Sequence, residues 1–371
     1  MNNAHIISIG SLASFSRGLT YSGSDEVDYS SNVVLRSNNI DLATNTLNFD
    51  ELKYISDAIN IPEDKKLQRN SIFMCMSNGS KQHLGKVAFI DRDYPYAFGG
   101  FMGLIKPKED IIIPKLLYYY FCSSKFKGFL SSIGNGANIN NIKFVDIAKD
   151  YISVPEKTTQ QSIIEELDKI NELIRLKKEQ LNDYDKLSQS IFYEMFGDPV
   201  VNEKGWEVKK FADLYKLKSG DSLSAKNFVE GEIPVYGGNG ISGYHNDFNM
   251  DGDFIIIGRV GVYCGNVREV HGKFWLTDNA FQLFYSREIQ SPCFIHYLLE
   301  ILDLHKYANA AAQPVISNLT LKDVEIIIPP LPLQQAFAQR IKLIEQQKAE
   351  IQSTIADLET LLASRMQYWF G

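Results

Sequence analysis

The sequence predicts an α+β protein: two tandem α/β domains separated by two long antiparallel coiled-coil helices, related by a pseudo-two-fold internal repeat. Three observations predict this. Residues 155–197 and 329–371 align without a gap at a constant offset of 174. Each copy carries apolar residues at alternating spacings of four and three, which is a coiled-coil seam rather than a scattered amphipathic face. The segments that precede the two copies also repeat one another, as short apolar runs broken by polar turns. A repeat this long in one chain means two copies of one structural unit. The expected order is a first globular domain at 1–154, a first helix unit at 155–197, a second domain at 198–328 and a second helix unit at 329–371.

The helix units come first because they are the most legible. In the first, the seam reads Ile163, Leu167, Ile170, Ile174, Lys177, Leu181, Tyr184, Ser188, Ile191 and Met195. In the second it reads Phe337, Ile341, Ile344, Lys348, Ile351, Ile355, Leu358, Leu362, Arg365 and Trp369. Thr158 and Gln161 are spaced to cap the first helix, Pro332 suits the first turn of the second, and Gly197 and Gly371 are suitable stops. Roughly 37 helical residues make a rod of about 55 Å. Such a rod cannot bury its stripe alone, and its own second copy is the obvious partner. One heptad stretch by itself would suit a core hairpin or a homodimerising coiled coil. Two gapless copies, each preceded by a globular segment of similar size, argue against that. The polar interruptions at Lys177, Ser188, Lys348 and Arg365 suggest room for further helices.

The globular segments follow in matching order. His5–Gly18 corresponds to Trp206–Gly220, with Ile9 on Phe211, Leu12 on Leu214 and Gly18 on Gly220. Val33–Ile40 matches Ile233–Ile241, each a short apolar strand entering a polar loop. Ser71–Phe89 matches Asp253–Val267, and Ala97–Pro107 matches Phe274–Ser286. A helical run follows in both, Lys115–Leu130 and Pro292–Ala308. Each half then closes on a related stretch, Ile139–Ile147 and Ile316–Val324. Short strands mixed with a helix in each half give the α+β class.

Composition narrows the function. With 371 residues, 44% hydrophobic and 12% aromatic, the chain has room for two or three packed domains. The longest apolar run, Ile111–Phe121, is broken by Pro114 and Lys115, so no membrane span is expected. The N-terminus lacks the basic-then-apolar pattern of a secretory signal. Cys75, Cys122, Cys264 and Cys293 are isolated, without metal spacing, and read as reduced core thiols of a cytoplasmic protein. The net charge of −7 argues against a stand-alone basic nucleic-acid binder. Residues 1–154 hold 16 basic and 15 acidic side chains, whereas 198–328 hold 12 and 17. DNA binding would therefore need local placement of Arg and Lys, or a basic partner that supplies phosphate attraction.

Catalytic motifs are missing. The sequence has no GxxxxGK[ST], HExxH or CxxC, no adenine-methyltransferase NPPY-like motif, and no GxGxxG after a strand. Glu63-Asp64-Lys65 resembles the end of a nuclease carboxylate motif but lacks the preceding strand. No catalytic, cofactor or metal residue is assigned.

The loops are more informative. Reading bases requires side chains that donate and accept at base edges, with Arg for guanine and Asn or Gln for adenine. Arg36, Ser37, Asn38 and Asn39 form one such run, and Ser77, Asn78, Lys81 and Gln82 another. In the second half the candidates are Tyr236, Asn239, Tyr244, His245, Arg259 and Asn266. Any one Asn/Gly/Ser loop can be a plain turn. These recur at matching points of a repeated frame while their chemistry differs, as two domains reading different sequences would require.

On these residues the chain resembles the specificity subunits of type I restriction–modification enzymes. The marks are Pro-Pro-Leu-Pro-Leu-Gln-Gln at 329–335, Phe-Gly-Asp-Pro at 196–199, and Gln-Pro-Val-Ile-Ser-Asn at 313–318. To these add YGGNGISGYHNDF from Tyr236, GRVG from Gly258, CGNV from Cys264 and FWLTDNAF from Phe274. The first half departs at residues 136–142 (GANINNI), where the second has AAQPVIS at 311–317. The resemblance implies two target-recognition domains, each reading half of a bipartite asymmetric site in double-stranded DNA, with the helices setting the gap. It implies no catalysis in this chain. Two methyltransferase subunits using S-adenosylmethionine, and through them restriction/translocase subunits using ATP and Mg, are the implied partners. The competing reading is a coiled-coil scaffold that joins two protein-interaction modules without DNA readout.

Overall fold

The computed structural model describes residues 4–133, 141–309 and 313–371, with Lys81 by its backbone alone. Most of the departing loop at 136–142, and residues 311–312 of its counterpart, therefore lie outside the described residues. The chain divides into two compact units, residues 1–177 with 354–371, and residues 178–353. Each unit combines one globular domain with one end of each long helix.

In the first unit, strand His5–Ser8 pairs antiparallel with Tyr151–Val154, so the chain enters and leaves the domain side by side. One sheet orders Ala13–Arg17, Met102–Pro107, Ser71–Cys75 and Val87–Ile90, all antiparallel. A smaller one orders Glu26–Val27, Lys53–Ile55, Asn32–Leu35 and Ala97–Phe98, its last pair parallel. Ser71–Cys75 is buried along its whole length. Its alternation explains why it reads as a continuous apolar run. Ile72 and Met74 face the core shared with helix Pro114–Cys122 and the long helices, whereas Phe73 and Cys75 face the core under the smaller sheet.

The second unit repeats the plan. Strand Glu207–Lys210 pairs antiparallel with Glu325–Ile328. A six-stranded sheet orders Lys216–Ser219, Ala280–Phe284, Met250–Gly258, Val267–Leu276, Ile233–Gly237 and Gly240–His245. Within it, Ile233–Gly237 runs parallel to Val267–Leu276. In Met250–Gly258, Ile255 and Ile257 point to the core that contains helix Pro292–Ile301, and Ile256 points to the opposite face.

The long helices are Lys157–Phe196 and Leu331–Phe370, 40 residues each, or about 60 Å at the usual rise. In the first unit Ile163 and Leu167 share a core with Met366 and Phe370, and Glu166 binds Arg365. In the second, Phe192 and Phe196 share a core with Phe337 and Ile341, and Asp185 lies 2.8 Å from Lys348. Partner numbers fall along one helix as they rise along the other, so the pair is antiparallel. The first helix stops at Gly197, whose φ of 76° suits a left-handed cap that glycine adopts without strain.

Two expectations change here. The first helix is anchored by Gln160 rather than capped by Thr158. The Gln160 carboxamide oxygen accepts from the Ile113 amide at 2.8 Å, and its Nε2 donates to the Pro155 and Ile111 carbonyls at 2.8 and 3.1 Å. Three of the four polar interruptions of the seam, Ser188, Lys348 and Arg365, are engaged by residues of the two helices themselves. Lys348 pairs with Asp185 and with Glu345, Arg365 pairs with Glu166, and the buried Ser188 donates to the Tyr184 carbonyl at 3.0 Å. Among the described residues no helix is long and apolar enough to cross a membrane, and all four cysteines are free.

Candidate nucleic-acid interface

The frame that carries the loops repeats bond for bond. Ile142 donates to the Met76 carbonyl at 2.7 Å, and Ile316 to the Arg259 carbonyl at 3.0 Å. Cys75 donates to Lys86 at 2.9 Å, and Gly258 to Asn266 at 2.9 Å. Gly99 donates to Leu35 at 3.0 Å, and Thr277 to Tyr236 at 2.9 Å. Gly18 and Gly220 are glycine for one reason. A Cβ on either would lie 2.1 Å from a carbonyl oxygen, that of Gly99 or of Leu276. On this frame the loop after Leu35 corresponds to the turn after Tyr236, and the loop from Met76 to the one from Arg259.

In the first unit the two candidate loops meet, because Asn78 Nδ2 donates to Ser37 Oγ at 3.0 Å. Among the described residues the Arg36 Nε is buried without a hydrogen-bond partner, whereas its amide is held by Asn39 Oδ1 at 2.8 Å. Asn38 is exposed and donates to Glu51 Oε2 at 3.1 Å. Asn39 does not face outward as expected. It is buried, and its Nδ2 donates to the carbonyls of Asn48 and Glu51, so it shapes the loop. Ser77 is half-buried, its amide fixed to the Phe101 carbonyl at 3.1 Å. Gln82 is exposed; the Lys81 side chain lies outside the described residues. Beneath the loops, burial holds the Lys86 ammonium below the usual lysine range while its Nζ donates to the Ile40 carbonyl at 2.9 Å.

In the second unit the turn at Gly237–Gly240 lies against the strand end at Gly258. A Cβ on Gly258 would sit 2.2 Å from the Gly238 carbonyl, so this close backbone approach requires the glycine. The contact brings the loops of Asn239 and Arg259 together. Asn239 is exposed, and its carbonyl accepts from Arg268 Nη2 at 3.4 Å. Arg259 lies over the Phe281 ring and donates from Nη1 to Ser219 Oγ and the Asp278 carbonyl. Tyr244 and Asn266 are exposed. Tyr236 packs its ring edge-on against Phe274, with centroids 5.4 Å apart, and so belongs partly to the core. His245 also differs from expectation. It is buried, its Nδ1 accepts from the Val229 amide at 2.9 Å, and its ring meets Trp275 edge-on.

Against this geometry the comparisons can be read. The family described as the type I restriction modification DNA specificity domain matches residues 1–183 and 203–360. The chain belongs to this family. Among its relatives, the type I restriction enzyme EcoprrI specificity subunit of Escherichia coli is 30% identical over 151 residues, which is 38% of this chain and 37% of that one. The type I restriction enzyme MjaIX specificity subunit of Methanocaldococcus jannaschii is 26% identical over 292 residues, 67% of each chain. A type I restriction–modification S subunit structure from M. genitalium superposes on 100% of this chain and 96% of its own, with TM-score 0.57 and 16% identity. That likeness extends the fold over the whole chain.

For this specificity-domain protein, sequence reading missed one feature of the second unit. An open cleft of about 430 Å³ lies beside the Gly237–Gly240 turn, lined among others by Phe228, Asn239, Ile241, Ser242, Thr277 and Asn279. The signal was there in Thr277 and Asn279, which stand where the first domain has Gly99 and Phe101. Linear reading does not place them beside a turn about 40 residues earlier.

Proposed function

We propose that this chain is a non-catalytic DNA sequence-specificity subunit of a type I restriction–modification enzyme. Each recognition domain reads one half of a bipartite, asymmetric site in double-stranded DNA. The helix pair sets the spacer and docks two methyltransferase subunits, through which restriction subunits are recruited. S-adenosylmethionine, ATP and Mg belong to those partners. The observation that carries this reading is the bond-for-bond repetition of the frame around loops of different chemistry: Arg36-Ser37-Asn38 in one domain, Gly237-Gly238-Asn239 in the other. A constant frame with unlike tips is what reading two different half-sites requires. The family relationship supports it over a protein-joining scaffold.

Co-expression with the methyltransferase subunit of the same system, followed by genome-wide mapping of methylated bases, tests the proposal. One bipartite motif with unlike halves that disappears when this chain is omitted is the expected result. Methylation that is independent of this chain, or without a motif, would refute it.

A further inference from the structure

Arg17 ends the strand Ala13–Arg17 at the edge of its sheet and is exposed. Its Nε donates to the Gly100 carbonyl at 3.1 Å and its Nη2 to Asn141 Oδ1 at 3.1 Å. In the second domain Arg259 donates from Nη1 to the Asp278 carbonyl at 3.3 Å and to Ser219 Oγ at 3.2 Å. These anchor points correspond. Gly18 donates to the Met102 carbonyl at 3.2 Å and Gly220 to that of Ala280 at 3.3 Å. One residue before the donors stand Arg17 and Ser219; two residues before the acceptors stand Gly100 and Asp278. Both domains thus dock a guanidinium on the same carbonyl, but deliver it from different places: the end of strand Ala13–Arg17 in the first, and the residue just after strand Met250–Gly258 in the second. The first sends it from the position where the second has Ser219. The second sends it from Arg259, where the first has Met76.

The anchoring chemistry is also shared. Both arginines are held by neutral acceptors, and neither is paired with a carboxylate among the described residues. Each is pinned along part of its fork and, among the described residues, leaves donors uncommitted: Nη1 and the second N–H of Nη2 on Arg17, and Nε with Nη2 on Arg259. Two adjacent N–H donors on a fixed plane match O6 and N7 of a guanine in the major groove. Arg17 lies at the loops already assigned to reading, since Gly100 precedes Phe101, whose carbonyl holds the amides of Met76 and Ser77 at 3.0 and 3.1 Å.

We propose that Arg17 is a base-reading side chain of the first domain, donating to a guanine edge in its half-site from the place that Arg259 holds in the second. The proposal rests on the DNA-recognition reading above. Selection from randomised duplex DNA by this chain assembled with its methyltransferase subunits tests it, using the wild type, Arg17→Ala, Arg17→Lys and Arg259→Ala. Arg17→Ala is expected to lose roughly 10- to 100-fold of the preference at a guanine of one half-site, leaving the other half-site intact. Arg259→Ala should give the mirror image. Arg17→Lys keeps the charge but not the planar fork, so overall affinity should largely return while the base preference does not. It carries the same test should the alanine variant unfold. Equal weakening on all sequences, reversed by lysine, would make Arg17 a phosphate contact and overturn the proposal. Unchanged selection by both Arg17 variants would overturn it too, while leaving the recognition reading intact if the wild type still selects a bipartite site. A wild type that selects no sequence would remove both.

Discussion

Gln160 and Gln334, 174 positions apart in the chain, make the same three hydrogen bonds in two different domains. Gln160 ties the first long helix to Ile113, just before helix Pro114–Cys122. Gln334 accepts from Ser291, just before helix Pro292–Ile301, at 2.9 Å, and donates to the Pro329 and Ile289 carbonyls at 2.7 and 3.2 Å. Both side chains are buried. Each long helix is thereby locked in angle to its own domain by an uncharged group that satisfies one amide and two carbonyls away from water.

Replacing either glutamine by alanine strands those three backbone groups. Gln160→Ala and Gln334→Ala should each cost about 1–3 kcal/mol, seen as a lower urea midpoint. Gln160→Glu should cost at least as much, because it buries a carboxylate facing two carbonyls. The neighbouring exposed Gln161→Ala serves as the control, with a change within about 0.5 kcal/mol.

The pairing of the helix ends should be acid-sensitive. Hydrogen bonds from Arg365, with Trp369 Nε1 at 3.0 Å, hold the Glu166 carboxyl below the usual glutamate range. A folded pKa lower than the unfolded one contributes stability that is present above the unfolded value, near 4.3 for glutamate, and lost as pH falls through the folded value. Glu166→Gln should therefore lower stability by about 0.5–1 kcal/mol at pH 7, the range for a partly exposed pair. The difference from wild type should begin to shrink as pH falls past about 4.3 and close only below the lowered folded value. Thermal unfolding from pH 7 down through the acid range reads it.

Side chains that read bases and side chains that shape loops should separate under mutation. Arg36→Ala keeps the amide that Asn39 holds and removes a buried Nε that has no partner among the described residues. It should leave stability within about 0.5 kcal/mol and relax one half-site by about 1–3 kcal/mol at the affected base. Asn39→Ala and His245→Ala should do the reverse, costing about 1–3 kcal/mol of stability with the preferred bases unchanged in whatever protein remains folded. Paired denaturation and DNA-selection measurements check both.

If the helix pair fixes the spacer, its length should be readable in base pairs. Four residues inserted at facing positions of both helices add about 6 Å, and one or two base pairs at about 3.4 Å each. The methylation motif should keep both half-sites and widen only between them. An unchanged spacer would count against the helices as the ruler.

Much of the architecture was legible because repetition and periodicity are properties of the sequence itself. The seam from Ile163 to Met195 named its own partner, and the matching Gly18 and Gly220 fell at equivalent points of the repeat, where the fold shows one close backbone approach. Long-range pairing was harder to read. Asn39 and His245 carry the chemistry of base contacts, and only the fold shows their polar atoms engaged by Arg36, Glu51 and Val229. Arg17 is not legible in the sequence as a candidate because the carbonyl that anchors it lies 83 residues away. In the second domain the corresponding carbonyl is met by Arg259, just after another strand, which defeats linear alignment. Lys348 and Arg365 of the seam find their carboxylates on the opposite helix, which the sequence of one helix does not show.

The closing of His5–Ser8 on Tyr151–Val154, and of Glu207–Lys210 on Glu325–Ile328, gives each head a single doorway. Both ends of a head's gene segment therefore map to one spot on the rod. If each domain reads its own half-site, exchanging one domain at this doorway should change that half of the specificity while the helix pair and the other half stay as they are.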